Sequence, residues 1–170
     1  MSKPMSFQNE WDFLISHLSK DQIMVEYGSG HSTYELAPRV KKLISIEHNK
    51  DWFNNINSKV KALDNVEYIF IPPEKGAPNK LRGIDPKWFY TYITWPKTRN
   101  EKFDVVLIDG RARQYVAESI LDNITEDSYV FIHDWNPEIR DEKYRIRYER
   151  ILEFYNVVNS ERKMTLLKKK

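Results

Sequence analysis

The chain predicts an open α/β sheet of seven strands, mostly parallel, closed by a C-terminal antiparallel hairpin and flanked by helices on both faces. Short β-branched runs alternate with stretches of helical apolar spacing along most of the sequence, the pattern of repeated strand–helix units. The run "FDVVLID", Phe103 to Asp109, is almost continuously apolar, as expected of a parallel strand covered on both faces. The ending, "EFYNVVNSERKMTLLKK", reads as two strands around a polar turn, Asn159 to Arg162.

The elements follow in order. Phe7, Trp11, Leu14, Ile15 and Leu18 share one helical face, with an end near Ser19. Gln22 to Tyr27 is the first strand, and His31 to Val40 the next helix, which Pro38 should stop or kink in its last turn. Leu43 to Glu47 is a strand, Lys50 to Val60 a helix, and Val66 to Ile71 a third strand closed by Pro72 and Pro73. Residues 72–102 read as an irregular insertion, because they hold Pro72, Pro73, Pro78, Pro86 and Pro96. A short helical piece inside it would take Asp85 as cap and Pro86 as first residue. Phe103 to Asp109 is the fourth strand, Ala112 to Ile124 a helix, Tyr129 to His133 the fifth strand and Asp141 to Phe154 a charged amphipathic helix.

The 170 residues form one domain, 1–170, since a chain of this length buries about 70% of its unfolded surface. Lys and Arg total 27 against 25 Asp and Glu, so the strongly basic stripe of a duplex-binding protein is missing and nucleic acid is not an expected partner. Lys168 to Lys170 read as a solvated tail. The absence of cysteine excludes disulfides, thiolate metal sites and thiol nucleophiles. No stretch approaches the roughly 20 apolar residues of a membrane span, and "MSKPMSFQNE" lacks a secretory core. A soluble cytoplasmic protein is the expectation, and the oligomeric state is left open.

In open α/β sheets ligands lie beyond the carboxyl ends of the strands. Those ends carry Glu26-Tyr27-Gly28, Glu47-His48, Asp109-Gly110-Arg111 and His133-Asp134-Trp135. Gly28 and Gly30 allow a tight strand-to-helix turn, which on its own is equally a structural feature. Ser29, Ser32 and Thr33 surround it, and Glu47 ends the next strand about twenty residues downstream, where a carboxylate can accept both hydroxyls of a ribose. Dinucleotide-binding oxidoreductases and S-adenosylmethionine (SAM)-dependent methyltransferases both use such an acid. The first class wants glycine or alanine where this chain has Thr33, and Glu26 would repel a pyrophosphate while attracting a methionine ammonium.

"VEYGSGHST", "LISIEHNKDW" and "FDVVLIDGRARQYVAESIL" resemble the first cofactor motif, the ribose-binding acid and the fourth strand of class I SAM-dependent methyltransferases. The resemblance runs from about Gln22 to the terminal hairpin and implies a Rossmann-like fold. It implies that Gly28, Ser29 and Gly30 pass under the methionine moiety, that Glu47 holds the ribose, and that His48 or the segment after Ile71 flanks the adenine. Glu26, Tyr27, Ser32, Thr33 and Asp109 complete the expected cofactor site.

Asp109, Arg111, His133 and Asp134 then surround the transferable methyl. Both acids could instead cap following helices. Two carboxylates on neighbouring strand ends also suit a divalent cation such as Mg or Mn, and Asp109 and Asp134 resemble the metal acids of catechol-type O-methyltransferases. The chain departs from that pattern, with Trp135 where an Asn follows the second acid and Ala112 where the catalytic lysine stands. His133, with an ordinary pKa of about 6.5, is the candidate base, and a histidine bonded to backbone is the plain alternative. Arg111 would orient the acceptor or form an ordinary ion pair. Trp88, Tyr92, Trp95 and Trp135 read either as core or as an acceptor wall. Small glycan O-methyltransferases resemble this pattern, "DGR" included, so a sugar hydroxyl is the first expected acceptor. Another hydroxylated small molecule, a nicotinamide-dependent oxidoreductase and a non-catalytic binding module are the alternatives.

Overall fold

The computed structural model describes residues 8–78, 86–137 and 148–170. Phe7, the cap Asp85 and residues 141–147 of the helix expected from Asp141 lie outside these. The described chain builds α1 (Gln8–Ile15), β1 (Ile23–Tyr27), α2 (His31–Leu36), β2 (Lys42–Glu47), α3 (Lys50–Val60) and β3 (Val66–Phe70). Then follow α4 (Tyr90–Thr94), β4 (Val105–Ile108), α5 (Arg113–Ser119), β5 (Tyr129–Ile132), β6 (Tyr155–Glu161) and β7 (Met164–Lys169). The seven strands form one sheet in the order β3-β2-β1-β4-β5-β7-β6. The first five pair in parallel, and β7 is antiparallel to both β5 and β6. The expected fold class is the observed one.

Strand alternation divides the core into two layers. Val25, Tyr27, Ile44, Ile46, Val106 and Ile108 face one side of the sheet, while Met24, Leu43, Val105 and Leu107 face the other, under Trp11 and Leu14 of α1. Complete burial of such aliphatic side chains contributes about 1.5–3 kcal/mol each. Pro38 acts as its chemistry requires: α2 gives way to a 3₁₀ turn, Ala37–Arg39. Helix α3 matches its expected span, with the Asn49 side chain accepting from the Trp52 N–H at 2.9 Å.

Three expectations are corrected. The hairpin turn is Arg162-Lys163, because Glu161 pairs with Met164 and a bulge at Val158 absorbs the extra residue. The lysines of the C-terminus are not a free tail: those of Lys168, Lys169 and Lys170 donate to the carbonyls of Asp127, Leu121 and Leu152. Helix α5 is shorter than predicted and continues as a 3₁₀ turn, Leu121–Asn123. No described helix is long and apolar enough to cross a membrane.

Candidate active site

Strand order reverses direction between β1 and β4, which pair side by side, and the crevice of a doubly wound sheet opens at such a switch point. The exits of these two strands touch. Gly28 has φ +91°, and a Cβ there would stand 2.7 Å from the Cα of Gly110, so glycine is needed for conformation and for space. Gly30 is different: its φ of −170° is extended backbone open to any residue.

A cavity of about 670 Å³ lies over this junction, lined by Gly28, Ser29, Glu47, His48, Asp109 and Arg111 among others. Its volume is that of a small-molecule site. Burial works against charge on Glu47, but N–H groups of His48 and Asn49 (2.8 and 2.7 Å) and the N–H and hydroxyl of Ser29 (3.1 and 3.0 Å) point at its carboxylate. Together with the His48 ring they hold its pKa below the usual carboxylate range. The Ser29 hydroxyl also lies 2.7 Å from the Tyr68 phenol, so it has a second partner when Glu47 is taken.

Glu26 does not reach this cavity. It is fully buried on the α2 side of the sheet, beside Ser45 in the β1–β2 register, and accepts hydroxyl hydrogens from Ser32, Thr33 (2.6 Å) and Ser45 (2.6 Å). Burial pushes its carboxyl up to about 7 against the pull of these donors. Glu26, Ser32 and Thr33 therefore tie β1, β2 and the start of α2 together, and Thr33 also accepts the Gly30 N–H at 3.0 Å. Tyr27 is likewise a core residue, edge-on to Tyr92 and Trp95.

At the other end, Asp109, His133 and Asp134 are brought within 4.8 Å of one another. His133 is held by carboxylates at both nitrogens: Nδ1 stands 3.0 Å from Asp109, and Nε2 is 3.3 Å from Glu10, a wholly buried residue of α1. Burial disfavours the charged ring, but the bond and charge of Asp109, with Asp134 and Glu10, raise its pKa to about 8. The raised pKa, with a carboxylate at each ring nitrogen, favours the protonated ring and weighs against His133 as the base.

Arg113 is the cation that sequence reading missed in favour of Arg111. Ala112, in left-handed backbone at φ 51°, turns the chain at the head of α5 and forms no side-chain cap, so the helix-cap reading of Asp109 falls. The Arg113 fork donates from Nε to the Gly110 carbonyl at 3.0 Å, and from Nη2 to the Asp109 carbonyl at 3.1 Å and the Asp134 carboxylate at 3.0 Å. Its Nη1 takes the His133 carbonyl, and the Asp109 carboxylate lies 3.3 Å away. Arg111 is exposed at the cavity and has no described ion pair.

Asp109, His133 and Asp134 are residue types that could hold a divalent cation, but a guanidinium already stands beside both acids. One oxygen of each acid, Asp109 Oδ1 and Asp134 Oδ2, already faces the Arg113 guanidinium, whose repulsion of each added unit charge is about 4 kcal/mol at 4 Å in an effective dielectric of 20.

The expected acceptor wall is corrected as well. Tyr92, Trp95 and Trp135 are buried in the core, Trp95 stacking on Phe103 at 6.2 Å and Trp135 packing against Tyr148 at 5.6 Å. Trp88 is part-buried against the same cluster, beneath the Lys87 ammonium. The aromatic ring at the cavity is Trp52, 38% exposed, whose indole N–H donates to the Ser29 carbonyl at 2.6 Å. Its place in the first turn of α3, just past Glu47, was the available signal.

No family model and no curated protein sequence matches the chain. Solved structures do. A methyltransferase-like protein from Silicibacter pomeroyi is 17% identical over 99% of this chain and 89% of its own, with a TM-score of 0.74. A Streptococcus mutans protein crystallised with S-adenosylhomocysteine (SAH) is 13% identical, covering 100% and 99%, with a TM-score of 0.64. An rRNA methylase from Streptococcus thermophilus is 15% identical, covering 97% and 98%, with a TM-score of 0.63. With the sheet order and the crevice described above, these likenesses give the chain the fold of class I SAM-dependent methyltransferases.

Proposed function

We propose that the protein is a SAM-dependent O-methyltransferase acting on a hydroxylated small molecule, a sugar hydroxyl foremost. The observation that carries the reading is the convergence of Gly28, Ser29, Glu47 and Asp109 on one cavity at the switch point. Glu47 would hold the ribose, the Ser29 hydroxyl turning to Tyr68 as the sugar takes its place, and the bend at Gly28 would leave room for the methionine moiety. SAM, when bound, supplies an electrophilic methyl group on a sulfonium.

Asp109 is the base. Its carboxylate is 35% exposed and borders the cavity, whereas His133 is turned to the protein. As the acceptor oxygen takes the methyl carbon and sulfur keeps the electron pair of the broken bond, the hydroxyl proton passes to Asp109. The imidazolium of His133 holds that carboxylate in place, and Arg111 offers a planar fork to the acceptor. The polar lining supports a polyhydroxylated acceptor, since carboxylate and guanidinium groups suit neighbouring hydroxyls. RNA is the substrate named for some structures of this fold; the formal charge of this chain, only +2, ranks it below a small acceptor.

Calorimetry with SAH tests the cofactor reading: the unmutated protein binds, and Glu47→Ala loses at least about tenfold in affinity, about 1.4 kcal/mol. No binding to the unmutated protein would end the proposal. Transfer of labelled methyl from SAM to sugars, catechols and RNA then ranks the acceptors.

A further inference from the structure

We infer that Arg113 is a resident cation, taking the electrostatic place that a divalent metal would fill between Asp109 and Asp134, and that methyl transfer here is metal-independent. The inference rests on the methyltransferase reading for its meaning in catalysis, but its structural basis is separate. Two carboxylates on adjacent strand ends, close together and partly screened from water, need a positive partner. The partner is built into the chain: Arg113 lies one residue beyond a left-handed turn at Ala112 and is only 15% exposed in its side chain.

The fork does more than neutralise charge. Its contacts join the Asp109 and Gly110 carbonyls at the exit of β4 to the His133 carbonyl and Asp134 carboxylate at the exit of β5. The guanidinium gives the carbonyls of Asp109, Gly110 and His133 the donors they have from this side chain, from one planar group that reaches both strand exits. Arg113 is thus a positioning residue: it keeps Asp109 at the cavity, and its charge excludes the ion that the acids alone would attract.

The test is a Mn(II) titration followed by electron paramagnetic resonance and calorimetry, on the full chain with endogenous metal removed. The unmutated protein binds no Mn(II) more tightly than about 1 mM. Arg113→Gln, which keeps an amide donor and loses the charge, binds one ion at least about tenfold more tightly, and adding Asp109→Asn abolishes the gain. Arg113→Lys, which keeps the charge, behaves as the unmutated chain. One Mn(II) bound to the unmutated protein and lost on Asp109→Asn would overturn the inference, as would a folded Arg113→Gln that binds none. If circular dichroism finds Arg113→Gln unfolded, the titration of the unmutated chain against Asp109→Asn still decides. SAH calorimetry on the same samples separates the two proposals, because failed cofactor binding leaves the metal result standing.

Discussion

At the exits of β1 and β2, the buried carboxylates of Glu26 and Glu47 meet hydroxyl and backbone N–H donors. At the exits of β4 and β5, Asp109 and Asp134 instead meet the cations of Arg113 and His133. The two halves of the sheet thus manage negative charge by different means, with Glu47 and Asp109 bordering the cavity. Hydroxyl and N–H donors stabilise the Glu47 carboxylate at the proposed cofactor end, where a negative group suits an ammonium and ribose hydroxyls. At the proposed acceptor end both acids are ion-paired, and the exposed edge of Asp109 would take the proton.

The largest effect that sharpens this contrast is on rate. Asp109→Asn should lower methyl transfer by about 10²–10⁴-fold, the usual contribution of a general base, while SAH affinity measured by calorimetry changes little. Equal loss of rate and cofactor affinity would mean that Asp109 belongs to the cofactor end.

Stability against pH separates the two ends next. Glu26 and His133 both have folded pKa values above their ordinary ones, so each favours the folded state most when protonated, and that contribution is lost as pH rises. The windows differ: from 4.5 to about 7 for Glu26 and from 6.5 to about 8 for His133. The full spans correspond to about 3 and about 2 kcal/mol. Urea unfolding across pH should show the lower window flattened by Glu26→Gln and the upper one by His133→Gln. Loss of both windows in one variant would break the separation.

The smallest expected effect concerns Ser29. Ser29→Ala removes one hydroxyl shared by Glu47 and Tyr68 and should cost about 1 kcal/mol of stability in urea unfolding. If the ribose replaces that hydroxyl at Glu47, SAH affinity stays within about threefold, below 1 kcal/mol. A larger loss would make Ser29 a direct cofactor contact.

The proposed cofactor end was the more legible in sequence, since Gly28, Ser29, Glu47 and His48 lie at two consecutive strand exits and line one cavity. Even there, Glu26 was misread, because a strand's two faces cannot be assigned to cavity or core from one acid. The acceptor end was read less well. Its network joins Glu10, Asp109, Arg113, His133 and Asp134, and nothing local announces that a glutamate on α1 will meet a histidine just past β5. The aromatic insertion misled for a related reason: composition gives ring density, while packing against Phe103 and Tyr27 decides which rings are covered.

By itself the sequence determined the alternation of strands and helices, the parallel core and the set of polar residues at the strand exits, because apolar period and turn chemistry are local properties of the chain. Only the tertiary structure decided which of those polar groups face the crevice, which are spent on one another, and that Arg113 rather than Arg111 lies between the acids. Charge partners are chosen by distance in space, and the left-handed turn at Ala112 that sets this distance has no reliable signature in a run of ordinary residues.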